Sequence, residues 1–172
     1  MDILVRKAVP GDEAKIAEVH VAAWKAAYRE FMSAQFLDAL SVDERTKMWK
    51  QALQKQGKGK YLIVEKSKHI RGFAVYGPAR DEDLDGTACE LVALNIHPDC
   101  WREKLGTSLL QAVFTDLSHE KYETIYLWVI NGNKPAINLY EQFGFRSTGV
   151  SKTDETHCGN PIHETRYSKA LG

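Results

Sequence analysis

The stretch Leu127-Trp-Val-Ile-Asn-Gly-Asn133-Lys-Pro-Ala136-Ile-Asn-Leu139-Tyr140-Glu-Gln-Phe143-Gly144-Phe145 predicts the end of a strand followed directly by a helix. Asn133 is a favourable residue at the N-cap of that helix, and Pro135 suits its first turn. Gly144 predicts where the helix stops. Tyr140 follows Asn133 by seven residues, or two helical turns, so the two side chains share one face of the helix.

A second stretch lies upstream of the first. It reads Glu90-Leu-Val-Ala-Leu-Asn-Ile-His-Pro98 followed by Asp99-Cys-Trp-Arg-Glu-Lys-Leu-Gly106-Thr-Ser-Leu-Leu110. It predicts a strand that runs through a tight loop into an apolar-faced helix. Unpaired N–H groups and the helix dipole at such a junction favour an anion such as a pyrophosphate. Gly106 would let that ligand approach the backbone closely, and Arg102 and Lys104 would add positive charge. An ordinary strand–turn–helix, with Gly106 serving close packing, is the alternative interpretation.

The rest of the chain alternates strand and helix patterns around these two stretches. Strands are predicted at residues 2–8, 61–65, 70–76, 88–97 and 124–130, with two more near the end of the chain. Helices are predicted after Pro10-Gly11-Asp12, after a capping box at Ser41–Glu44, from the Gly106 loop to about His119, and over residues 134–143. Strands alternate with helices from the middle onward, so at least one parallel strand pair is expected. No repeat or linker interrupts the pattern, and a single domain over residues 1–172 is predicted.

Composition narrows the classes of function. The 172 residues include 23 basic and 23 acidic side chains, so the chain carries no net charge to attract nucleic acid or an anionic membrane. No apolar run is long enough to span a bilayer, and the first residues do not resemble a signal peptide. Cys89, Cys100 and Cys158 are predicted to be thiols in a reducing cytoplasm. His157 next to Cys158 suggests a metal site, but no second close pair of ligands accompanies it, and no metal is predicted.

These two stretches resemble the GNAT superfamily of N-acetyltransferases. The family pattern L-x-V-x-x-x-N-x-x-A-x-x-L-Y-x-x-x-G-F matches the first stretch at every fixed position. The second matches E-[IL]-x-x-L-x-[IV]-x-P followed by the coenzyme A loop. The N-terminal segment from His20 through Trp24 and Tyr28 to Trp49 is similar to one GNAT subgroup, so the resemblance covers nearly the whole chain.

The resemblance implies an α/β (α+β) fold, in which a mixed, mostly antiparallel twisted sheet of about six or seven strands is flanked by about four helices. It also implies acetyl-CoA as cosubstrate. The implied cofactor-binding residues are Leu94, Ile96, Trp101, Arg102, Glu103, Lys104, Leu105, Gly106, Thr107, Asn133 and Tyr140. This chain departs from the family in the loop, where the family pattern is [QR]-x-x-G-x-[GA]. Trp101 replaces the Gln or Arg at the first place, and Lys104 replaces the Gly at the fourth. Because a lysine takes positive φ only at a cost, the loop is expected either to stay helical there or to bind more weakly.

Catalysis requires that an ammonium lose a proton before the amine attacks a thioester. Glu90 matches the position of the general base in GNAT histone acetyltransferases; the alternative is a strand glutamate that faces solvent or pairs with a basic neighbour. Tyr140 matches the usual general acid; the alternative is a tyrosine packed on the core. Trp24 and Tyr28 match the region that lines the acceptor pocket, and they fit ordinary core aromatics as well. A backbone N–H near Ile96 is expected to stabilise the thioester oxygen.

The predicted function is the transfer of an acetyl group to a primary amine by direct attack in a ternary complex. The acceptor is a small molecule or a peptide, and a homodimer is compatible with the sequence. A non-catalytic acyl-CoA sensor would keep the loop and the Asn133 helix but would need neither Glu90 nor Tyr140. A protein-interaction module on the same fold would not bind coenzyme A at all.

Overall fold

The computed structural model describes residues 2–155 and 158–172. Its strands are β1 (Ile3–Lys7), β2 (Lys60–Lys66), β3 (His69–Pro78), β4 (Ala88–Ile96), β5 (Thr124–Ile130), β6 (Arg146–Asp154) and β7 (Ile162–Ala170). Its α-helices are α1 (Glu13–Ala27), α2 (Ala34–Asp38), α3 (Val42–Gln54), α4 (Leu105–Leu117) and α5 (Lys134–Gln142), and a 3₁₀ turn covers Pro98–Cys100. The strands predicted from the sequence are all present, with bounds shifted by a few residues.

The seven strands form one mixed sheet in the order β1-β2-β3-β4-β5-β7-β6. The predicted parallel pair is β4 with β5, and the other five neighbouring pairs are antiparallel. The predicted fold class is thereby confirmed. The structure has five α-helices where about four were expected, because the short α2 was not predicted from the sequence. Ser33 caps α2 by accepting a hydrogen bond from the Phe36 backbone N–H at 3.1 Å.

The two faces of the sheet bury different helices because side chains alternate along each strand. On one face, Leu62, Val64 and Ala74 pack with Leu109, Leu110 and Val113 of α4 and with Tyr140 of α5. On the other face, Ile63 and Phe73 pack with Ile16 of α1 and Trp49 of α3. Alternate residues of the same hairpin thus face opposite layers, which gives the three-layer arrangement its two separate cores.

Strands β4 and β5 pair over only three residues each, Ala88–Glu90 against Thr124–Tyr126. Directly after this point β4 carries a bulge: Tyr76 of β3 pairs with Leu91 and Val75 with Ala93, so Val92 has no opposite residue. A bulge bends its strand and increases the local twist. The second half of β4 therefore diverges from β5, while β5 keeps its antiparallel partner β7 along its whole length. The opening between β4 and β5 positions the site.

In the described ranges, no helix is both long enough and apolar enough to cross a membrane. The three cysteines are free and buried, in agreement with the prediction of thiols.

Candidate functional site

A cleft of about 840 Å³ occupies the opening between β4 and β5. Residues 91–96 of β4 and 127–130 of β5 form its two edges, and the loop before α4, the start of α5 and the end of α1 complete its walls. A concave, largely apolar space of this size is typical of a site for a cofactor or other small molecule. Most of the site residues predicted from distant parts of the sequence meet in this one cleft.

The loop before α4 presents a row of free backbone donors to the cleft. Across the described ranges, no acceptor takes a hydrogen bond from the six consecutive amides of residues 102–107. The last three of these amides open α4, where the helix dipole adds partial positive charge. Arg102 and Lys104 line the cleft beside them. Free amides at a helix N-terminus beside two cations are suited to an anion such as a phosphate. The phosphate site at this loop stays a prediction.

The backbone of this loop is held in an uncommon conformation. Arg102 and Lys104 both have φ near 64°, in the left-handed region that glycine adopts without strain. The expectation that the loop would stay in the right-handed helical region at Lys104 is therefore wrong. The lysine adopts the conformation that the family's glycine would take, at a cost of about 1–2 kcal/mol. This conformation turns the chain sharply into α4 and leaves the preceding amides free.

Gly106 follows in the first turn of α4 and lines the cleft. A Cβ atom there would lie 3.2 Å from Cδ2 of Leu139 and 3.6 Å from Cδ2 of Leu94. The absence of a side chain therefore lets α4 pack closely against α5 and β4. Both interpretations of this glycine, close packing and ligand approach, are compatible with its position.

The end of β4 has one backbone edge directed at the cleft. The His97 N–H donates to the Arg71 carbonyl of the neighbouring chain segment at 2.7 Å. Because successive N–H groups of a strand point to opposite sides, the Ile96 N–H points away from β3 and toward the cleft. The Ile96 carbonyl, on the same side, accepts a hydrogen bond from Nε1 of Trp101 at 2.9 Å. Trp101 thus closes the loop onto the strand and lines the cleft while the residue remains 45% exposed.

Asn133 and Tyr140 of the α5 region both line the cleft, as their shared helical face predicted. Asn133 stands at the N-cap position, yet among the described residues its side chain makes no capping hydrogen bond. The expected side-chain cap is absent, and the amide faces the cleft instead.

Tyr140 is 8% exposed, and its ring packs edge-on against Phe145 with the ring centres 5.8 Å apart. Every fully enclosed side-chain polar atom in the described ranges has a hydrogen-bond partner, whereas no partner is found for the Tyr140 hydroxyl. That hydroxyl is therefore open to the cleft. Burial, with a smaller contribution from Tyr28, raises the pKa of the phenol well above its usual value. The group stays protonated and able to donate near neutral pH.

Glu90 lies outside the cleft wall, in the three-residue region where β4 still pairs with β5. Its carboxylate is 3% exposed and is held by Arg80, whose Nε and Nη2 donate at 2.8 and 2.7 Å. The Tyr126 hydroxyl donates a third hydrogen bond at 3.1 Å. The basic neighbour considered from the sequence is thus Arg80. The role of Glu90 as a base stays a prediction, and the present geometry commits its oxygens to other partners.

Three further predicted residues occupy different positions. Glu103 does not line the cleft; it forms an ion pair with Lys66 at 2.5 Å. Trp24 and Tyr28 line the cleft with their rings edge to face at 5.2 Å. Tyr28 is the C-cap of α1 rather than a residue within it. Both aromatic rings also pack against the small core around Ile130 and Ile162. Their position is therefore compatible with both interpretations, as core aromatics and as part of a pocket wall.

Sequence reasoning missed the carboxylates of the cleft. One wall of the cleft, formed by the segment after α1 and by β6 and β7, carries the carboxylates Glu30, Asp154 and Glu164. The cations among the lining residues, Arg102 and Lys104, lie elsewhere, in the loop before α4, called here the phosphate loop for its predicted role. Burial is the main reason that the pKa of Glu164 is raised. Burial and the nearby charge of Glu164 raise the pKa of Tyr28 to about 12. No motif marks Glu164 in the sequence, because only the pairing of β7 with β5 brings its side chain to the cleft.

In the ranges that the structure describes, no group of three or more potential metal ligands comes together. His157, which suggested a metal site with Cys158, lies outside those ranges.

The sequence matches the acetyltransferase (GNAT) family over residues 21–145, which include the phosphate loop and the Asn133 helix. It is 30% identical over 141 residues to the uncharacterized N-acetyltransferase YuaI of Bacillus subtilis (strain 168), covering 82% of this chain and 79% of that protein. It is 36% identical over 81 residues to a probable spermine N(1)-acetyltransferase of Bacillus subtilis subsp. natto (strain BEST195), covering 45% of this chain and 53% of that protein.

Solved structures share the fold at lower sequence identity. PaiA N-acetyltransferase of Thermoplasma acidophilum, in complex with coenzyme A, superposes with a TM-score of 0.76 at 18% identity over 99% of both chains. YncA of Salmonella typhimurium, with its cofactor acetyl-CoA, gives a TM-score of 0.75 at 21% identity over 100% of this chain and 95% of that one. The family match extends over more than half of the chain and includes the cleft residues from Ala23 to Tyr140. The chain therefore belongs to the GNAT family of acetyltransferases and is an acetyl-CoA-dependent acyltransferase.

Proposed function

We propose that the protein transfers the acetyl group of acetyl-CoA to a primary amine by direct attack while both substrates occupy the cleft. The observation that carries this proposal is the single cleft with two chemically different walls. One wall has free amides of the loop before α4 and two cations, and the other has carboxylates and aromatic rings. The first wall suits phosphates and the second suits a cationic amine.

The residues present fit coenzyme A. The amides of residues 102–107, with Arg102 and Lys104, would hold the pyrophosphate. The Asn133 amide, which makes no cap bond among the described residues, would hydrogen-bond the pantetheine arm. When bound, acetyl-CoA supplies the reactive thioester. The Ile96 N–H, directed at the cleft, would donate to the carbonyl oxygen where negative charge develops.

Tyr140 serves as the general acid in this proposal. Its hydroxyl is open to the cleft, and its raised pKa keeps it protonated when the sulfur departs. Trp24 and Tyr28 enclose the acceptor and keep water from it. Glu90 could act as the base only after its carboxylate left Arg80, and the same contacts give it a structural role that holds β4 beside β5.

The acceptor in the proposal is a small cationic amine, and a polyamine is one candidate because a relative that matches part of the chain is described as a probable spermine acetyltransferase. A peptide acceptor and a homodimer stay predictions. Two measurements distinguish this function from the two non-catalytic alternatives, an acyl-CoA sensor and a protein-interaction module. Acetyl-CoA should raise the melting temperature, as any ligand of the folded state does. Thiol release should then appear only when an amine is added. A melting temperature unchanged by millimolar acetyl-CoA would refute cofactor binding, and binding without amine-dependent thiol release would indicate a sensor.

A further inference from the structure

Glu164 is a partly buried carboxylate in the part of the cleft wall that β6 and β7 form. On β7 it lies between Ile130 of β5 and Lys152 of β6. Its side chain is 23% exposed and lines the cleft. Within residues 2–155 and 158–172, its one ion-pair partner is Lys152, with 3.8 Å between Nζ and Oε2, and no donor gives its carboxylate a hydrogen bond.

We propose that Glu164 binds the ammonium group of the acceptor and takes its proton. This inference rests on the proposed function, since it names the residue that recognises the amine in that cleft. The N–H bond of the ammonium breaks, an O–H bond forms on the Glu164 carboxylate, and the electron pair stays on nitrogen, which becomes the nucleophile. The carboxyl group later releases the proton to solvent.

The chain's own Lys152 shows how this wall receives a primary ammonium. Its Nζ lies 4.2 Å from the centre of the Trp128 ring and 3.8 Å from the Glu164 carboxylate. Trp128 lines the cleft beside Glu164. An indole face and a carboxylate together attract an alkylammonium by cation–π and ionic contacts. Because the Lys152 side chain is 49% exposed, a cationic acceptor can displace it without breaking a buried ion pair.

The surroundings of Glu164 favour proton uptake by this carboxylate. Burial raises its pKa, the nearby Asp154 and Glu90 raise it further, and Lys152 opposes them. Tyr28 and Cys158 face it from the end of α1 and from the loop before β7. Burial raises the pKa of each, and the charge of Glu164 raises it further. A carboxyl group with a raised pKa is a better base for an ammonium than an ordinary one.

Glu164, Tyr28 and Tyr140 all line the cleft wall. Glu90, by contrast, is outside this wall and accepts three hydrogen bonds from Arg80 and Tyr126. Of these two glutamates, Glu164 is the one with oxygens available to a substrate.

The experiment compares Glu164→Gln with Glu90→Gln and with Lys152→Met, using spermine and butylamine as acceptors. Calorimetry measures amine binding to the coenzyme A complex without turnover, and thiol release gives kcat and KM from pH 5 to pH 9. Glu141→Gln is the matched control, because it neutralises an exposed carboxylate of α5 outside the cleft. Acetyl-CoA affinity, measured on every variant, reports an intact fold.

Glu164→Gln is expected to raise KM for the amine at least 10-fold and to lower kcat/KM about 10²–10⁴-fold. In the wild type, kcat/KM should rise with pH on the acid side of the profile as Glu164 loses its proton, at a pH above the usual range for a glutamate. That rise should vanish in Glu164→Gln and persist in Glu90→Gln. Lys152→Met removes the competing ammonium and should lower KM. If the Glu164–Lys152 ion pair were only structural, Glu164→Gln and Lys152→Met would instead change KM for the amine in the same direction.

A Glu164→Gln variant with wild-type KM and an unchanged pH profile would overturn the inference and leave the proposed function standing. If the wild-type protein neither binds either amine in its complex with coenzyme A nor acetylates it with acetyl-CoA, the proposed acceptor class is refuted, and this inference is refuted with it. Loss of the low-pH rise in Glu90→Gln alone would transfer the role of base to Glu90.

Discussion

The Tyr140→Phe substitution removes one oxygen atom from the cleft and should lower activity without lowering stability. The ring keeps its edge-on contact with Phe145 and its place in the main core. Among the described residues the hydroxyl has no hydrogen-bond partner that the change would leave unpaired. The free energy of unfolding should therefore change by less than about 0.5 kcal/mol. Turnover should fall roughly ten- to several-hundred-fold because the departing sulfur loses its proton donor.

Tyr76→Phe is the matched control, since it makes the same chemical change away from the cleft. The Tyr76 hydroxyl donates to Oδ2 of Asp116 at 2.7 Å, and the residue is 1% exposed. Losing this partly buried hydrogen bond to a charged group costs about 1.5–3 kcal/mol. In a protein of this size that cost lowers the melting temperature by roughly 3–12 °C. The acetyl-transfer rate of the control should stay near that of the wild type.

Three measurements decide this prediction: kcat from thiol release, coenzyme A affinity from calorimetry, and the melting temperature from circular dichroism. Tyr140→Phe should change only the first, and Tyr76→Phe only the last. Equal losses of turnover and coenzyme A affinity in Tyr140→Phe would show that Tyr140 contacts the cofactor and does not act as the acid. A melting temperature as low as that of Tyr76→Phe would show that its hydroxyl serves packing.

Three other perturbations test the loop and the N-terminal core. Gly106→Glu should abolish acetyl-CoA binding in calorimetry, because it places bulk against Leu139 and negative charge beside the free amides of the loop. Gly106→Ala should retain weaker binding. Equal affinities of the two variants would contradict the proposed phosphate site. In urea denaturation, the free energy of unfolding of Lys104→Gly should exceed that of Lys104→Ala by about 1 kcal/mol. Both variants lose the charge, and only glycine adopts φ of 64° without strain. Equal free energies of unfolding would show that the backbone at this position is not strained. His20 accepts a hydrogen bond from Trp49, and burial lowers its pKa to about 4 from 6.5. The unfolded chain therefore binds the extra proton between pH 6.5 and 4, so stability should fall by up to about 3 kcal/mol as the pH is lowered across that range, and His20→Gln should show a flatter slope.

Local patterns in the sequence were sufficient for the elements that carry the cofactor site. Gly144, with φ of 94°, ends α5 where the sequence predicted, and Ser41 caps α3 through the Glu44 N–H at 3.2 Å. The loop before α4 could be predicted as a phosphate site because the donors in question are consecutive amides of one short segment. Their grouping depends on spacing along the chain and on the helix that follows.

The acceptor side of the cleft was decided by the tertiary structure. Glu90 and Glu164 are both strand glutamates, and period-two alternation assigns each to a face without saying what covers that face. Arg80 reaches Glu90 from the loop after β3 and takes its carboxylate. The pairing of β7 with β5 places Glu164 beside Ile130 at the cleft. The sequence alone was sufficient to predict the strands, most of the helices and the loop before α4, because these depend on interactions between residues close in the chain. Which carboxylate faces the substrate depended on strand pairing between distant segments, which no local pattern encodes.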